Sequence, residues 1–281
     1  MNRTELKREA INLQNIVNTG KLVVGRNQLD ITTDLHKWST TVYRTKDIDK
    51  INVKQFEKVS GQCKYIVLAD GSDRVAFNSR YNNKKICVLN FASSKNPGGG
   101  FINGGIAQEE ALCQASNLYS ILERHEDFYE YNKAHLNRGQ YTDGIIFTEN
   151  CLFFRNNYKN VEPKLVDVIT CAAPNAKAAR RNGVSEEEIE CTMSRRIEQI
   201  LKVAISNKVK VLALGAFGCG VFGNDPNKVA SIMWTILEVR GYSQYFDEII
   251  FPMNAASGEN VKAFTNIFNK TILGGKRTWS I

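Results

Sequence analysis

The sequence has 281 residues, of which 43% are apolar and 23% charged, and its formal net charge is +8. This composition allows one sizeable core, and the plentiful aromatic residues and scarce proline exclude extended disorder. The positive charge favours polyanionic partners without choosing among DNA, RNA and other polyphosphates.

Residues 1–82 carry weaker patterns than the rest of the chain. Charged and apolar residues alternate at helical spacing up to Gly20, which predicts a helix that ends there. The charged start lacks the apolar stretch of a signal peptide, and no apolar run is long enough to cross a bilayer. Short strand candidates follow in KLVVG, STTVYR and CKYIVLAD. We expect a soluble, cytoplasmic protein with an N-terminal accessory segment over residues 1–82 that covers one face of the core.

Strands and helices alternate in residues 83–281, which we expect to form the core of the fold. KKICVLNFAS predicts a strand buried on both faces, QEEALCQASNLYSILERH a helix, and GIIFTENCLFFRN a hairpin that turns at Glu149-Asn150. LVDVITCAAPN predicts another buried strand, and a long helix, a strand–loop–helix unit, a strand at FDEIIFPMN and a closing helix at ENVKAFTNIFNKTIL follow. This alternation predicts an α/β fold with a largely parallel or mixed sheet.

Cysteine and histidine spacing gives little support to a metal site. The seven cysteines include no CxxC pair, several lie in apolar runs, and the three histidines are not at ligand spacing. We therefore expect no disulfide framework, no metal and no cofactor.

Two glycine-rich loops each follow a predicted strand and precede a predicted helix. The first spans residues 97–107 and the second, GAFGCGVFGNDP, residues 215–226. Backbone N–H groups of such loops converge on anions at the carboxyl ends of strands. Neither loop fits a Walker A or a dinucleotide-binding motif. We expect a diphosphate held mainly by backbone amides.

Phe217 and Phe222 flank the second loop. Apolar rings beside an anion site suit a ribose or a base, and the alternative is that they are core residues. Both interpretations stay open for Phe217, whereas the position of Phe222 between two glycines favours ligand contact.

Glu109 and Glu110 follow the first loop at the start of the predicted helix. Acids there can simply complement the helix dipole. However, two like charges in a partly desolvated cleft cannot both stay ionised cheaply, so one pKa should rise. A carboxyl protonated near neutral pH is what a glycosidic leaving group requires. The hypothesis is a pair made of an acid catalyst and a holder of a sugar hydroxyl.

NFASSKNPGGGFINGGIAQEEALCQASNLY resembles the signature of the poly(ADP-ribose) glycohydrolases, most closely that of the shorter microbial type. GAFGCGVFGNDP is similar to the diphosphate-binding loop of that family, and the resemblance runs over about residues 84–270. It implies that residues 83–281 form a macrodomain-like catalytic core, a mixed sheet flanked by helices that binds ADP-ribose. It also implies hydrolysis of the ribose–ribose O-glycosidic bond, with release of ADP-ribose.

The resemblance also implies site residues. Glu110 would be the catalytic acid, Glu109 would hold a ribose hydroxyl, and Gln108 would support the loop. Phe222 would pack against the terminal ribose, and Phe251 is a candidate for stacking on the adenine. The remaining candidate substrate-binding residues are in the two loops: Gly98, Gly99, Gly100, Gly218, Cys219, Gly220 and Val221. The larger animal-type enzymes have an asparagine where this chain has Ser93, to which we assign no role.

Other functions remain open. A non-catalytic reader of ADP-ribose has no need of a second adjacent carboxylate, whereas a hydrolase of mono-ADP-ribose linkages would need the same loops. A nucleic-acid-binding protein is disfavoured because no basic-aromatic stripe is present. We expect a monomer whose partners are poly(ADP-ribose) or ADP-ribosylated macromolecules, with no membrane partner and no specific nucleic acid. The sequence does not distinguish cleavage at chain ends from internal cleavage.

Overall fold

A seven-stranded mixed sheet carries helices on both faces in the computed structural model, which describes residues 1–81, 84–254 and 257–268. The strands of these ranges are β1 (Lys21–Val24), β2 (Asn27–Asp30), β3 (Ser39–Tyr43), β4 (Lys64–Leu68), β5 (Ile86–Phe91), β6 (Ile145–Asn156), β7 (Lys159–Cys171), β8 (Val211–Ala213) and β9 (Glu248–Pro252). The α-helices are α1 (Arg3–Thr19), α2 (Thr32–Leu35), α3 (Thr45–Ile48), α4 (Ser72–Val75), α5 (Gln108–Ala115), α6 (Leu118–Leu122), α7 (Glu126–Ala134), α8 (Ala176–Arg181), α9 (Glu186–Ser206), α10 (Pro226–Trp234) and α11 (Gly258–Phe268).

The strand order of the large sheet is β3-β6-β7-β5-β8-β9-β4, and β1 and β2 form a separate two-stranded sheet. Strands β7, β5, β8, β9 and β4 are parallel, whereas β6 pairs antiparallel with β3 and β7. The carboxyl ends of five strands therefore meet at one edge of the sheet, where ligands bind in open α/β folds. The predicted α/β fold with a mixed sheet flanked by helices is confirmed.

Apolar side chains fill both faces of the sheet. Helices α1, α5, α6 and α7 cover one face through buried residues such as Leu13 and Leu112. Helices α9, α10 and α11 cover the other through residues such as Ile197, Met233 and Phe264. Because both faces are covered, β5 is buried along most of its length and is apolar except for Asn90, in keeping with the buried strand that its sequence predicted.

The segment before residue 83 supplies both edge strands of the large sheet. β3 pairs with β6, and β4 pairs with β9. Helix α1 ends before Gly20, whose φ of 65° forms the expected C-cap, and its first residue contacts the first glycine loop. There, Nε of Arg3 donates to the carbonyl oxygen of Asn103 at 2.9 Å. The segment expected to cover the core thus also continues its sheet.

The hairpin predicted at Glu149-Asn150 is wrong. β6 runs through this point, and the register with β7 shifts between Thr148 and Cys151. Asn150 has a φ of 58°, and its N–H donates to Oδ1 of Asp167. The left-handed conformation that asparagine tolerates makes a β-bulge here instead of a turn. The chain reverses later, at residues 157–158.

The single helix predicted from Gln108 onward is two helices. Ser116 is extended and pairs with Phe153 of β6, and Asn117 accepts a hydrogen bond from the N–H of Leu152. Serine and asparagine compete with helical hydrogen bonds in this way. The closing helix forms as α11, and the predicted part beyond Phe268 lies outside the described residues. No helix of the described ranges combines the length and apolar character needed to cross a membrane.

Candidate active site

A cleft of about 650 Å³ opens at the carboxyl edge of the parallel strands. Its walls come from the segments after β4, β5, β8 and β9, and from one face of α5 that includes Gln108 and Ala111 but neither Glu109 nor Glu110. Gln108 and Ala111 line it on one side and Gly218, Gly220 and Phe222 on another, so the structure brings the two predicted loops to one cavity. The cleft also reaches Arg155 and Tyr158, which the sequence analysis did not single out.

The first glycine loop folds around the two carboxyl groups. Gly98 and Gly99 have φ angles of 65° and 59°, which favour glycine. A Cβ on Gly99 would lie 2.7 Å from Oε1 of Glu110 and 2.9 Å from Oε2 of Glu109. The glycines therefore let the backbone approach both carboxylates.

Glu110 is 9% exposed and is held through only one of its oxygens. The N–H of Gly100 donates to Oε1 at 2.7 Å, whereas the buried Oε2 has no hydrogen-bond partner in the described part of the structure. A buried carboxyl oxygen without a partner is costly unless it is protonated or meets a ligand.

Glu109 is 3% exposed, and both of its oxygens accept hydrogen bonds. The N–H of Ser93 donates to Oε2 at 2.7 Å, and Nδ2 of Asn90 donates to Oε1 at 3.3 Å. Burial raises the pKa of Glu109 to about 8, and the negative charge of Glu110 also raises it. The hydrogen bonds from Ser93 and Asn90 lower this pKa but do not offset the effect of burial. One raised pKa in the pair is what the sequence predicted, and it belongs to Glu109.

Asn90 and Ser93 support Glu109, and the sequence analysis missed both roles. Asn90 is fully buried on β5 and also donates to the hydroxyl of Thr170 on β7. Ser93 contributes its backbone N–H, and its Oγ accepts from the N–H groups of Lys95 and Asn96. A polar residue inside an otherwise apolar strand is the signal that could have identified Asn90.

Gln108 joins the start of α5 to the end of β5. Its Oε1 accepts from the N–H of Phe91, and its Nε2 donates to the carbonyl oxygen of Leu89, both at 2.8 Å. Because both ends of the amide are engaged, the side chain fixes the direction in which α5 leaves the loop.

The side chain of Asn224 stabilises the second glycine loop through hydrogen bonds. Its Nδ2 donates to the carbonyl oxygens of Gly218 and Pro174, both at 2.9 Å. Gly218 has a φ of 76° and is closely packed, whereas a Cβ on Gly220 would meet nothing within 4 Å. Cys219 is not among the lining residues, and burial raises the pKa of its thiol to about 12. The loop leaves Gly220 and Val221 open to the cleft.

The three phenylalanine candidates lie in different surroundings. Phe222 is half-buried at the cleft and packs against Tyr141 with ring centroids 5.8 Å apart. Phe217 is fully buried against Phe91, so it is a core residue. Phe251 is also fully buried, within an aromatic cluster of the core, and does not line the cleft. This corrects the expectation for Phe251, because its ring is not accessible to an adenine.

The family model for the catalytic domain of microbial-type PARG matches residues 10–156, more than half of the chain. This range holds the first glycine loop and both carboxylates. The search of curated proteins found no match.

Solved structures resemble the whole fold. Poly(ADP-ribose) glycohydrolase from Thermomonospora curvata is 26% identical with a TM-score of 0.87, over 95% of this chain and 100% of that one. Its complex with the inhibitor ADP-HPD gives a TM-score of 0.84 at 26% identity, over 94% and 99% of the two chains. Poly(ADP-ribose) glycohydrolase from Deinococcus radiodurans in complex with ADP-ribose is 30% identical with a TM-score of 0.73, over 83% and 95%.

Proposed function

This chain belongs to the microbial-type poly(ADP-ribose) glycohydrolase family, and we propose that it hydrolyses the ribose–ribose O-glycosidic bonds of poly(ADP-ribose) and releases ADP-ribose. The observation that carries the proposal is the geometry of the Glu109–Glu110 pair: Glu109 is held through both oxygens, whereas the buried Oε2 of Glu110 has no hydrogen-bond partner among the described residues. A glycosidic leaving group needs a proton, and Oε2 is the oxygen of the pair that is left available to deliver one.

In the proposed reaction, Glu110 is the general acid. Its Oε2 gives a proton to the oxygen that leaves as the bond to the anomeric carbon breaks. The positive charge that grows on that carbon is stabilised by the substrate's own diphosphate, held by backbone amides of the second glycine loop at Gly220 and Val221. The Glu110 carboxylate then takes a proton from water, whose oxygen bonds to the anomeric carbon.

Glu109 and Phe222 bind the substrate in this proposal. The Glu109 carboxyl hydrogen-bonds a hydroxyl of the terminal ribose, and Asn90 and Ser93 keep it in place. Phe222 packs against the same ribose at the mouth of the second loop. Most glycosidases use two carboxyl groups on either side of the bond. In this proposal the substrate's diphosphate replaces the second carboxyl group.

The test is release of ADP-ribose from poly(ADP-ribose) by wild type and by Glu110→Gln. The amide keeps the shape of the side chain but cannot donate the acid proton, so we expect turnover to fall by about 10²–10⁴-fold. Binding of ADP-ribose should persist. Glu162→Gln, at an exposed position of β7, is the matched control and should keep the wild-type rate.

Other outcomes would identify a different function. A near wild-type rate for Glu110→Gln would contradict the catalytic assignment. A wild type that cleaves only mono-ADP-ribosylated protein would be a hydrolase of that linkage. One that binds ADP-ribose but cleaves neither substrate would be a reader.

A further inference from the structure

Ile106 and Val221 are exposed aliphatic residues on the two glycine loops that line the cleft. Their exposed fractions are 81% and 73%, and both are lining residues. Together with Val239 they are the three most exposed large apolar residues of the described ranges. A single exposed aliphatic side chain is ordinary. These two line the same cavity, one from each glycine loop, so each glycine-rich wall of the cleft presents an aliphatic side chain to it.

This pair, which we call the aliphatic rim, begins beside the acid. A Cβ on Gly105 would lie 2.8 Å from Oε1 of Glu110, so the residue before Ile106 packs directly on the catalytic carboxyl. The side chain of Ile106 therefore leaves the loop one residue away from that contact and points into solvent.

The chemistry of the substrate determines what lies outside the acid. The oxygen that Glu110 protonates belongs to the nucleoside ribose of the next ADP-ribose unit. That nucleoside must start within hydrogen-bond reach of the carboxyl. Its base has an apolar face, which gains free energy when it covers aliphatic surface, whereas its diphosphate can stay in water.

We propose that the aliphatic rim binds the nucleoside of the ADP-ribose unit on the leaving side of the scissile bond. The proposal rests on the proposed function, since it takes the polymer as the substrate. It makes Ile106 and Val221 determinants of the preference for polymer over a single ADP-ribose unit.

The test measures binding without turnover. In the Glu110→Gln background, calorimetry would give the Kd of ADP-ribose and of a two-unit ADP-ribose oligomer, with and without Ile106→Ser. If a base covers about 40 Å² of the isoleucine side chain, the serine variant should bind the oligomer about fivefold more weakly. The Kd of ADP-ribose should not change. Val221→Thr, which keeps the branched Cβ, should weaken oligomer binding by about twofold.

Ile11→Ser is the matched control, because Ile11 is 61% exposed on α1 and does not line the cleft. It should leave both dissociation constants unchanged. If Ile106→Ser weakened the binding of ADP-ribose and of the oligomer equally, the rim would contact the terminal ADP-ribose unit, and the proposal would be overturned. Unchanged oligomer binding would also overturn it. Absence of polymer cleavage by wild type would instead overturn the proposed function, and the two affinities would still be measurable.

Discussion

Glu109 and Glu110 are neighbours in the sequence, yet their carboxyl groups have different surroundings. Glu109 is held through both oxygens, by Asn90 and by the backbone of Ser93. Within the described part of the chain, Glu110 is held through Oε1 alone. A fully held carboxyl is suited to fix a substrate, and one with a free oxygen is suited to transfer a proton. Their different partners therefore support the different roles that we propose for them.

The raised pKa of Glu109 predicts a pH-dependent stability. The folded protein holds this proton up to about pH 8, whereas the unfolded chain releases it near its ordinary value of 4.5. The folded state binds more protons in that interval, so this group's contribution to the free energy of unfolding falls as the pH rises through it. We expect a loss on the order of a few kcal/mol that is absent in Glu109→Gln. Urea unfolding between about pH 5 and about pH 8 measures the difference between the two proteins.

The exposed Glu162 provides the control for this measurement. Glu162→Gln should follow the wild-type pH profile. Parallel profiles for wild type and Glu109→Gln would mean that Glu109 carries no raised pKa.

For single residues, the sequence predicts a functional role better when the residues form a contiguous motif than when they come together only in the folded structure. Gln108, Glu109 and Glu110 are contiguous, so their pattern and the resemblance found them. Asn90 contacts Glu109 only because β5 packs beside α5. The two residues are 19 positions apart in the sequence, so the sequence alone does not show that they are neighbours. Phe251 is an aromatic residue that could in principle stack on a base. Its burial among other aromatic side chains depends on the packing of several segments, which the sequence of one segment does not show.

At the scale of the elements, the two glycine loops differ in what a side chain would meet. Gly220 has open space around its Cβ position, and its φ is not in the left-handed region. Gly220→Val should therefore keep the stability of wild type and weaken ADP-ribose binding by at least tenfold, because the methyl groups occupy the proposed diphosphate position. Calorimetry gives the affinity and thermal unfolding gives the stability.

Gly99→Val is the contrasting variant. Its side chain would collide with both carboxyl groups in a left-handed backbone conformation, so stability and binding should both fall. A folded Gly220→Val protein with unchanged affinity would show that the second loop is not the phosphate site.

Element types were predictable from periodicity, and the errors have a common cause. The buried strands and most helices follow from their apolar patterns. Asn150 and Ser116-Asn117 are residues that often interrupt regular structure, but their side chains alone do not determine whether the chain forms a turn, a bulge or a bridge. The result depends on the neighbouring strand, which is β7 at Asn150 and β6 at Ser116.

At the scale of the whole molecule, the accessory segment and the core share one sheet. Strand β9 is buried along its length and has β4 on one side and β8 on the other. Deletion of residues 1–82 would expose an unpaired apolar strand and remove α1 from the first loop. We expect the remaining fragment to lose cooperative thermal unfolding and ADP-ribose binding, measured by circular dichroism and calorimetry.

A mixture with the separate 1–82 segment is the control for that deletion. Recovery of ADP-ribose binding in the mixture would support the role of the shared sheet. A fragment that unfolds cooperatively and binds ADP-ribose by itself would show instead that residues 83–281 are an independent domain.

The pairing of β4 with β9 has a consequence for synthesis of the chain on the ribosome. Lys64 pairs with Glu248, so 184 residues separate the first partners of this ladder. At about 5–20 residues per second, β4 leaves the ribosome roughly 10–40 s before its partner exists. During that interval its half-buried side chains have no sheet to join, and a chaperone that binds short apolar segments has time to cover them. The synthesis of β9 thus sets the moment at which β4 can fold.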